Sequence, residues 1–209
     1  MTDTTLQRLA VPSTGGIDLR AELAVPSNPR AAMVMCHPHP LHGGSMYANV
    51  VEAVFGTLPA DGVVAARFNF RGTDGSTGRH DAGRGERDDV AAMVALVADR
   101  WPDLPLVLGG YSFGAMMALT VDHPALTGWL GVAPVLKRID RPDLVAADDD
   151  RPLTLVAGVH DQYQDIDELR GFAVSATATD LVPVDGADHF FAVGLDAVVA
   201  AARDLTGTA

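Results

Sequence analysis

The sequence predicts an α/β fold with a mainly parallel sheet, and three observations support this prediction. Short runs rich in β-branched residues alternate with longer Ala-rich runs, as strands alternate with helices in such folds. Several strand-like runs are apolar throughout, which is typical of parallel strands covered on both faces. The first two strand-like runs, 6–12 and 17–25, differ from these buried strands. They flank the turn sequence Ser13-Thr14-Gly15-Gly16, and the second run alternates apolar with polar residues. We therefore expect an antiparallel N-terminal hairpin at the sheet edge.

The remaining elements follow in order after this hairpin. Residues 86–100 show the helical pattern most clearly, with apolar side chains every three or four positions and acidic residues in the first turn. The connection 134–151 is too short for a helical cap domain, so we expect an open site. The alternation of strands with helices predicts that helices cover both faces of the sheet. The predicted strands are 31–36, 63–70, 106–110, 128–133, 153–158 and 181–184, and the predicted helices are 47–58, 86–100, 113–121 and 192–205.

Composition narrows the classes of partner. The 209 residues suffice for one hydrophobic core, and no linker or repeat divides them, so we predict a single domain spanning 1–209. Asp and Glu number 27 against 15 Lys and Arg, for a formal net charge of −12. Such a chain repels phosphate backbones, which argues against nucleic acid as a partner. The sole adjacent basic pair is Lys137 and Arg138, too few charges to bind an anionic membrane surface.

Location and oligomeric state are less constrained. A single cysteine, Cys36, excludes an internal disulfide and is compatible with a reducing compartment. The first residues carry an acid at Asp3 and lack the basic and apolar regions of a signal peptide, and no apolar run is long enough to span a membrane. We therefore predict a cytoplasmic protein. The sequence leaves open whether the protein forms a homodimer.

The strongest chemical signal is Gly110-Tyr111-Ser112-Phe113-Gly114, which matches the pattern G-x-S-x-G. The pattern alone is weak in a glycine-rich chain, but here an apolar run precedes it and a helix-forming run follows it. Strand, sharp turn and helix are what a nucleophile elbow requires. This context predicts Ser112 as a nucleophile and places the N–H of Phe113 at a helix N-terminus, where donors face an anion.

A serine hydroxyl needs a base to take its proton, and folds with this elbow order the triad as serine, acid, histidine. His189 follows the last predicted strand and precedes the last helix, so we predict it as the base. Asp161 follows the strand 153–158 and is the predicted acid, because sites in parallel sheets form at the carboxyl ends of strands. Asp165 and Asp167 are rivals further into the loop, and Asp188 adjoins the histidine.

The segment His37-Pro38-His39-Pro40-Leu41-His42-Gly43-Gly44 follows the strand 31–36. Three histidines in six residues raise the possibility of a zinc site, but no cysteine or carboxylate follows at ligand spacing. The favoured interpretation is an oxyanion loop that supplies one N–H beside that of Phe113. Since proline has no N–H, the donor is expected to be His39, Leu41 or a later residue, and we favour His39, then Leu41. No metal or organic cofactor is needed for this chemistry.

Three further side chains are candidates for substrate binding. Arg71 ends the strand 63–70, and either Arg71 or Asp74 would line the substrate mouth. A structural alternative is that Arg71 ties the glycine-rich loop 71–85 to a carboxylate such as Glu86 or Asp88. Tyr111 adjoins the serine and would form a pocket wall or pack internally. Cys36 is expected to pack as a small apolar group.

Six motifs together resemble a known family: HPHPLHGGSM, RFNFRGTDGSTG, GERDD, GYSFGA, GVHD and GADHFF. The chain is similar over about 31–205 to small bacterial α/β-hydrolases described only as predicted hydrolases, and more distantly to dienelactone hydrolases. The resemblance implies the α/β-hydrolase fold, a triad of Ser112, Asp161 and His189, and an oxyanion loop at 37–44. Dienelactone hydrolases use a cysteine nucleophile, where this chain has Ser112.

The function predicted from these residues is hydrolysis of a small-molecule ester or thioester by a carboxylesterase-like serine hydrolase. Fold alone does not name a substrate, because this fold supports many chemistries. One alternative is a protein of the same fold that binds a small molecule or a partner without turnover. Another is a peptidase or acyltransferase that uses the same triad.

Overall fold

The N-terminal hairpin forms where the alternating pattern predicts it. The computed structural model describes residues 3–208, apart from the side chain of Pro142. Strands β1 (Thr4–Ser13) and β2 (Ile17–Pro26) pair antiparallel along their whole length. Residues of β2 that face the core, Leu19, Ala21 and Leu23, are fully buried, while the hairpin's outer face remains in water. The hairpin therefore closes one edge of the sheet, as predicted.

Within residues 3–208, eight strands form one sheet in the order β1-β2-β4-β3-β5-β6-β7-β8. Only β1–β2 and β2–β4 pair antiparallel, and every other neighbouring pair is parallel. The central strands are buried on both faces, which explains their continuous apolar sequences. The strands after the hairpin are β3 (Ala31–Cys36), β4 (Val63–Phe68), β5 (Leu106–Tyr111), β6 (Leu126–Val132), β7 (Leu153–Gly158) and β8 (Thr179–Val184), with β3, β4 and β5 central and the partly exposed β8 at the sheet edge.

Helices cover both faces of the sheet, and each face has its own apolar core. Helices α1 (Asn49–Thr57) and α5 (Leu195–Thr206) pack on one face. Helices α2 (Arg84–Arg100), α3 (Phe113–Ala118) and α4 (Ile166–Ser175) pack on the other. The apolar stripe predicted on α2 is fully or nearly fully buried: Val90, Met93, Val94 and Val97. The predicted fold class is therefore confirmed.

Helix α4 has no counterpart among the predicted elements. Only Leu169 on this helix is deeply buried, and Val174 is 89% exposed, so its apolar pattern is weak. The signal that marks it is a cap, because the Asp165 side chain accepts hydrogen bonds from the N–H groups of Asp167 and Glu168. The predicted start of α5 at residue 192 is also wrong. Gly194 has φ +86°, a left-handed conformation outside a helix, and α5 begins after it.

The connection between β6 and β7 contains no cap domain, in agreement with the sequence. Three short 3-10 turns, Leu136–Arg138, Arg141–Asp143 and Val145–Ala147, are its regular elements. The carboxyl ends of the parallel strands are therefore left uncovered by a lid. Within residues 3–208, no helix combines the length and the apolar character needed to cross a membrane.

Candidate active site

Ser112 occupies the sharp turn between β5 and α3. Its backbone has φ +53° and ψ −114°, a conformation that residues other than glycine rarely adopt and that costs about 1–3 kcal/mol. The Ser112 N–H donates to the Val132 carbonyl at 2.8 Å, which ties the turn to the neighbouring strand β6. This strained turn lifts the hydroxyl above the carboxyl end of the sheet, as a nucleophile elbow requires.

The glycines on either side of Ser112 allow a very close backbone approach. A Cβ at Gly110 would lie 2.3 Å from the Gly114 backbone, and a Cβ at Gly114 would lie 2.3 Å from the Cys36 carbonyl oxygen. Such distances are far below van der Waals contact, so a larger side chain at either position requires the backbone to shift. The G-x-S-x-G spacing therefore has a direct steric cause here: it lets α3 start against the end of β3.

The structure brings Ser112, His189 and Asp161 into one hydrogen-bonded chain. The Ser112 Oγ lies 2.9 Å from His189 Nε2, and His189 Nδ1 lies 2.7 Å from Asp161 Oδ2. His189 is 6% exposed. Because the carboxylate accepts the Nδ1 proton, the other ring nitrogen is left as an acceptor for the serine hydroxyl. The residues come from three loops: Ser112 follows β5, Asp161 follows β7 and His189 follows β8.

The rival acids have other partners. Asp165 caps α4, and Asp188 Oδ1 accepts from the Phe190 N–H at 2.9 Å. Asp161 has its second oxygen engaged as well, since Oδ1 accepts from the N–H groups of Tyr163 (2.8 Å) and Gln164 (3.1 Å). These bonds fix the carboxylate so that its free oxygen points at the imidazole. The geometry thus favours Asp161 over the alternatives weighed from the sequence.

Two residues far apart in sequence hold the loop that carries His189. The Tyr111 hydroxyl donates to the His189 backbone carbonyl at 2.8 Å. Burial, with the nearby charges of Asp161 and Asp188, raises the pKa of Tyr111 to about 12, so this hydroxyl remains a donor at neutral pH. The Asn49 side chain donates to the carbonyls of Phe190 (2.8 Å) and Phe191 (3.1 Å). The pattern of the sequence did not indicate Asn49.

The predicted oxyanion loop lies beside the serine. The Leu41 N–H donates to His39 Nδ1 at 3.2 Å and is therefore occupied. The N–H groups of His39 and Phe113, by contrast, have no hydrogen-bond partner within residues 3–208. Burial, followed by the electrostatic effect of the neighbouring His42, His80 and Arg138, lowers the pKa of His39, which keeps its Nδ1 available as an acceptor. Of the two loop donors considered, His39 has the free N–H.

His37 anchors this loop from inside the protein. Its Nδ1 donates to the Pro38 carbonyl at 2.6 Å, and its Nε2 accepts from the Phe70 N–H at 3.0 Å. Burial lowers the pKa of His37 to about 4, so the ring is neutral at physiological pH. Among the described residues, no group of three or more His, Cys, Asp or Glu side chains is arranged to hold a metal ion. His37 and His39 form hydrogen bonds within this segment, and the rings of His39 and His42 stack with their centroids 4.4 Å apart.

The triad opens into a cleft of about 650 Å³. Its size is within the range of small-molecule sites. The walls come from the oxyanion loop, the start of α1, the elbow, the turn after β6 and the loops around Asp161 and His189. The lining residues are Pro38, His39, His42, Gly43, Gly44, Ala48, Asn49, Tyr111, Ser112, Phe113, Met116, Val135, Arg138, Tyr163, His189 and Phe190.

Tyr111 lines the cleft, whereas Arg71 and Asp74 lie outside its lining. The Arg71 guanidinium is bound to Asp89, with Nη2 2.7 Å from Oδ1, so the structural alternative describes it better, although Asp89 replaces the expected Glu86 or Asp88. Asp74 pairs instead with Arg20 at 3.4 Å. Neither side chain is therefore available to a substrate beside Ser112.

Cys36 packs as expected. It ends β3, is fully buried, and its pKa is raised by burial and by the charge of Asp89. It is therefore an inert thiol rather than a second nucleophile. The residues of the cleft that the sequence did not indicate include Arg138, Tyr163 and Phe190. Phe190 adjoins His189 and so had a sequence signal, whereas Arg138 reaches the cleft only through the fold.

The fold and this site define an α/β-hydrolase of the serine hydrolase type. A family model described as "Serine aminopeptidase, S33" matches residues 27–148, and the chain belongs to this hydrolase family. The match contains the elbow and ends before Asp161. The chain is also 32% identical over 188 residues to an uncharacterized protein of Rickettsia prowazekii, a match that covers 85% of this chain and 78% of that protein.

Solved structures of similar proteins extend the likeness to nearly the whole chain. An α/β serine hydrolase homologue from Coxiella burnetii has a TM-score of 0.80 at 28% identity, covering 99% of this chain and 96% of that one. A protein from Xanthomonas campestris, described as an α/β serine hydrolase without a lid, has a TM-score of 0.84 at 27% identity, covering 98% and 95%. These likenesses support the hydrolase class and do not include the dienelactone hydrolases that the motifs distantly resemble.

Proposed function

We propose that this protein is a serine hydrolase that cleaves small esters or thioesters through an acyl-enzyme on Ser112. The observation that carries the proposal is the continuous chain from Ser112 Oγ through His189 to Asp161, with distances of 2.9 and 2.7 Å. These three hydrogen-bonded residues lie at an uncovered cleft that can admit a small substrate. The carboxylesterase-like activity and the roles of the triad are part of this proposal.

The reaction follows from the geometry in two steps. His189 Nε2 takes the proton of Ser112 as the oxygen attacks the carbonyl carbon, and Asp161 stabilises the imidazolium that forms. The N–H groups of His39 and Phe113 hold the negative oxygen of the tetrahedral intermediate. His189 then gives its proton to the departing alcohol or thiol. In the second step His189 activates water, which hydrolyses the acyl-enzyme and releases Ser112.

The family description favours a second candidate, an aminopeptidase. Such an enzyme must hold the ammonium group at the start of its peptide, which a nearby carboxylate does best. The cleft lining, however, contains no Asp or Glu among the described residues. Hydrolysis of amino-acid 4-nitroanilides, measured beside that of esters, distinguishes the two. We expect ester hydrolysis to be much faster.

The test compares wild type with Ser112→Ala on 4-nitrophenyl acetate, butyrate and octanoate. We expect the variant to fall to background, a loss of at least about 10⁴-fold, because no other group can form the acyl-enzyme. Ser175→Ala is the matched control, because Ser175 lies at the exposed end of α4 and should not affect turnover. The acyl chain length that the wild type hydrolyses fastest then indicates how long an acyl group the cleft accommodates.

The opposite outcome is equally clear. If wild type and Ser112→Ala are both inactive, and a fluorophosphonate probe fails to label the wild type, the triad is not used for hydrolysis. The chain would then be a binding protein built on a hydrolase fold. If the wild type is labelled but cleaves none of these esters, the nucleophile works and the substrate class is wrong.

A further inference from the structure

Arg138 lies on the cleft wall, where its backbone is held in a turn and its side chain is exposed. It ends the 3-10 turn Leu136–Arg138, whose Leu136 is buried and whose preceding residue, Val135, also lines the cleft. The Arg138 N–H donates to the Val135 carbonyl at 3.1 Å, which holds the backbone of the turn. Its charge is also close enough to the oxyanion loop to contribute to the lowered pKa of His39. Arg138 is therefore part of the same site as the triad.

The guanidinium of Arg138 has no partner within residues 3–208. Most arginines in this part of the chain pair with an Asp or a Glu, as expected in an acidic protein. The Arg138 side chain forms no ion pair, hydrogen bond or stacking contact with those residues. All five guanidinium N–H donors thus remain free to bind an acceptor from solution.

The charge of the cleft differs from that of the whole protein. The chain carries 27 Asp and Glu, yet no carboxylate lies among the described lining residues, and Arg138 is their one Arg or Lys. The rest of the wall is apolar or uncharged, including Phe113, Met116 and Phe190. A single arginine without a carboxylate partner, in a cleft whose other walls are largely apolar, favours a ligand with an apolar body and one negative group.

We infer that Arg138 selects esters or thioesters that carry a carboxylate, and that it binds this carboxylate while Ser112 attacks the acyl carbon. The inference rests on the proposed function and adds a substrate class to it. Arginine suits the role because its planar fork donates two parallel hydrogen bonds to a carboxylate. The substrates are either monoesters of dicarboxylic acids or hydroxy acids acylated on the hydroxyl group. The first class carries the carboxylate in the acyl half, and the second carries it in the leaving group.

Two pairs of substrates test each half separately. The 4-nitrophenyl monoester of adipic acid and its neutral methyl ester differ by one carboxylate in the acyl half. The compounds 4-acetoxybenzoate and methyl 4-acetoxybenzoate differ by one carboxylate in the leaving group. For each pair the measured quantity is the ratio of kcat/KM for the anionic member to that for the neutral member.

Arg138→Gln should lower this ratio about tenfold for at least one pair, since a charge-assisted hydrogen bond of ordinary strength is lost. Arg138→Lys should restore part of it, because it returns the charge without the fork. Lys137→Gln is the matched control: it removes the same charge one residue away, and Lys137 is absent from the cleft lining. We expect it to change the ratio less than twofold.

A binding measurement needs no turnover. We expect uncleaved 4-acetoxybenzoate or the adipate monoester to bind Ser112→Ala about tenfold more tightly than it binds the Ser112→Ala, Arg138→Gln double variant, by calorimetry. Equal ratios in Arg138→Gln and Lys137→Gln, with equal binding, overturn the inference while leaving Ser112-dependent ester hydrolysis intact. If the wild type cleaves nothing and is not labelled, the proposed function fails, and the binding comparison alone decides the inference.

Discussion

Tyr111 adjoins the nucleophile in sequence and faces the cleft, and its hydroxyl binds the backbone of the histidine loop. The bond to the His189 carbonyl is 2.8 Å long and buried, so its loss leaves a carbonyl without a partner. Tyr111 therefore acts as a positioning residue: it fixes the height of His189 above Ser112. The sequence could suggest a pocket wall or a packing residue, and the structure adds this hydrogen bond.

Tyr111→Phe should lower kcat several-fold to about tenfold, because the imidazole loses a backbone restraint while the ring still fills the wall. KM should change less. The rate of fluorophosphonate labelling should fall in parallel, and the free energy of unfolding should drop by about 1–2 kcal/mol. Tyr47→Phe serves as the control, since the Tyr47 hydroxyl bonds Glu22 and Arg20 outside the cleft. Unchanged labelling in Tyr111→Phe would refute the positioning role.

The three triad residues could be proposed from the sequence because local patterns place each one. Ser112 has its glycines, and Asp161 and His189 follow strand-like runs in the order this fold uses. Contacts between residues that are distant in sequence leave no local sequence pattern from which they could be predicted. Asn49 reaches the histidine loop across 141 positions of sequence, and Arg71 chooses Asp89 over its neighbours on the same helix turn. Only the three-dimensional packing decides such partners.

At the scale of elements, the crossing of α3 and β3 is the tightest constraint at the site. Gly114 meets backbone carbonyls of Cys36 and His37, which cannot rotate away as a side chain could. Gly114→Ala should therefore destabilise the protein by about 3 kcal/mol or more, or prevent folding. Thermal unfolding and soluble yield measure this. A melting temperature within about 2 °C of wild type would contradict it.

Gly171→Ala provides the contrast for that substitution. Gly171 lies inside α4, and a Cβ added there meets no atom within 4 Å. Alanine is the better helix former, so this variant should gain about 0.5–1 kcal/mol. The two substitutions add the same methyl group, and the difference between them isolates the effect of the close backbone approach.

Element prediction succeeded where burial produced a regular pattern. The strands β3 and β7 have the predicted bounds, because β3 is apolar over its whole length and β7 is interrupted only by Thr154. Helix α4 was missed because it lies on the surface with one deeply buried residue, Leu169, and its cap at Asp165 is a polar signal. The end of α3 was set three residues too late, since Ala118 is followed by a turn rather than further helix.

At the scale of the whole molecule, His37 couples the site to global stability. Its buried ring bridges the oxyanion loop, through the Pro38 carbonyl, and Phe70, which lies two residues after the end of β4. A protonated ring would carry a charge in the interior without contact with water, and it would also direct an N–H at the Phe70 N–H. Folding therefore selects the neutral form, which is the physical cause of the pKa near 4.

The sign of the pH effect follows from this shift. In the unfolded chain the pKa of a histidine is about 6.5, so between pH 6.5 and pH 4 the unfolded state binds a proton that the folded state does not. The contribution of His37 is thus fully present above pH 6.5 and is lost as the pH falls toward 4. A shift of this size corresponds to about 3 kcal/mol.

Urea unfolding at pH 7.0 and pH 4.5, for wild type and His37→Gln, measures this contribution. Glutamine can accept from the Phe70 N–H but has no proton to gain in this range. The variant should be less stable at pH 7.0, by about 1–3 kcal/mol, because the bond to the Pro38 carbonyl is lost. The gap should narrow by about 2 kcal/mol or more at pH 4.5, since only the wild type pays for a neutral imidazole there. Carboxylates titrate equally in both proteins, so a gap that stays constant would show that His37 is not the group that titrates.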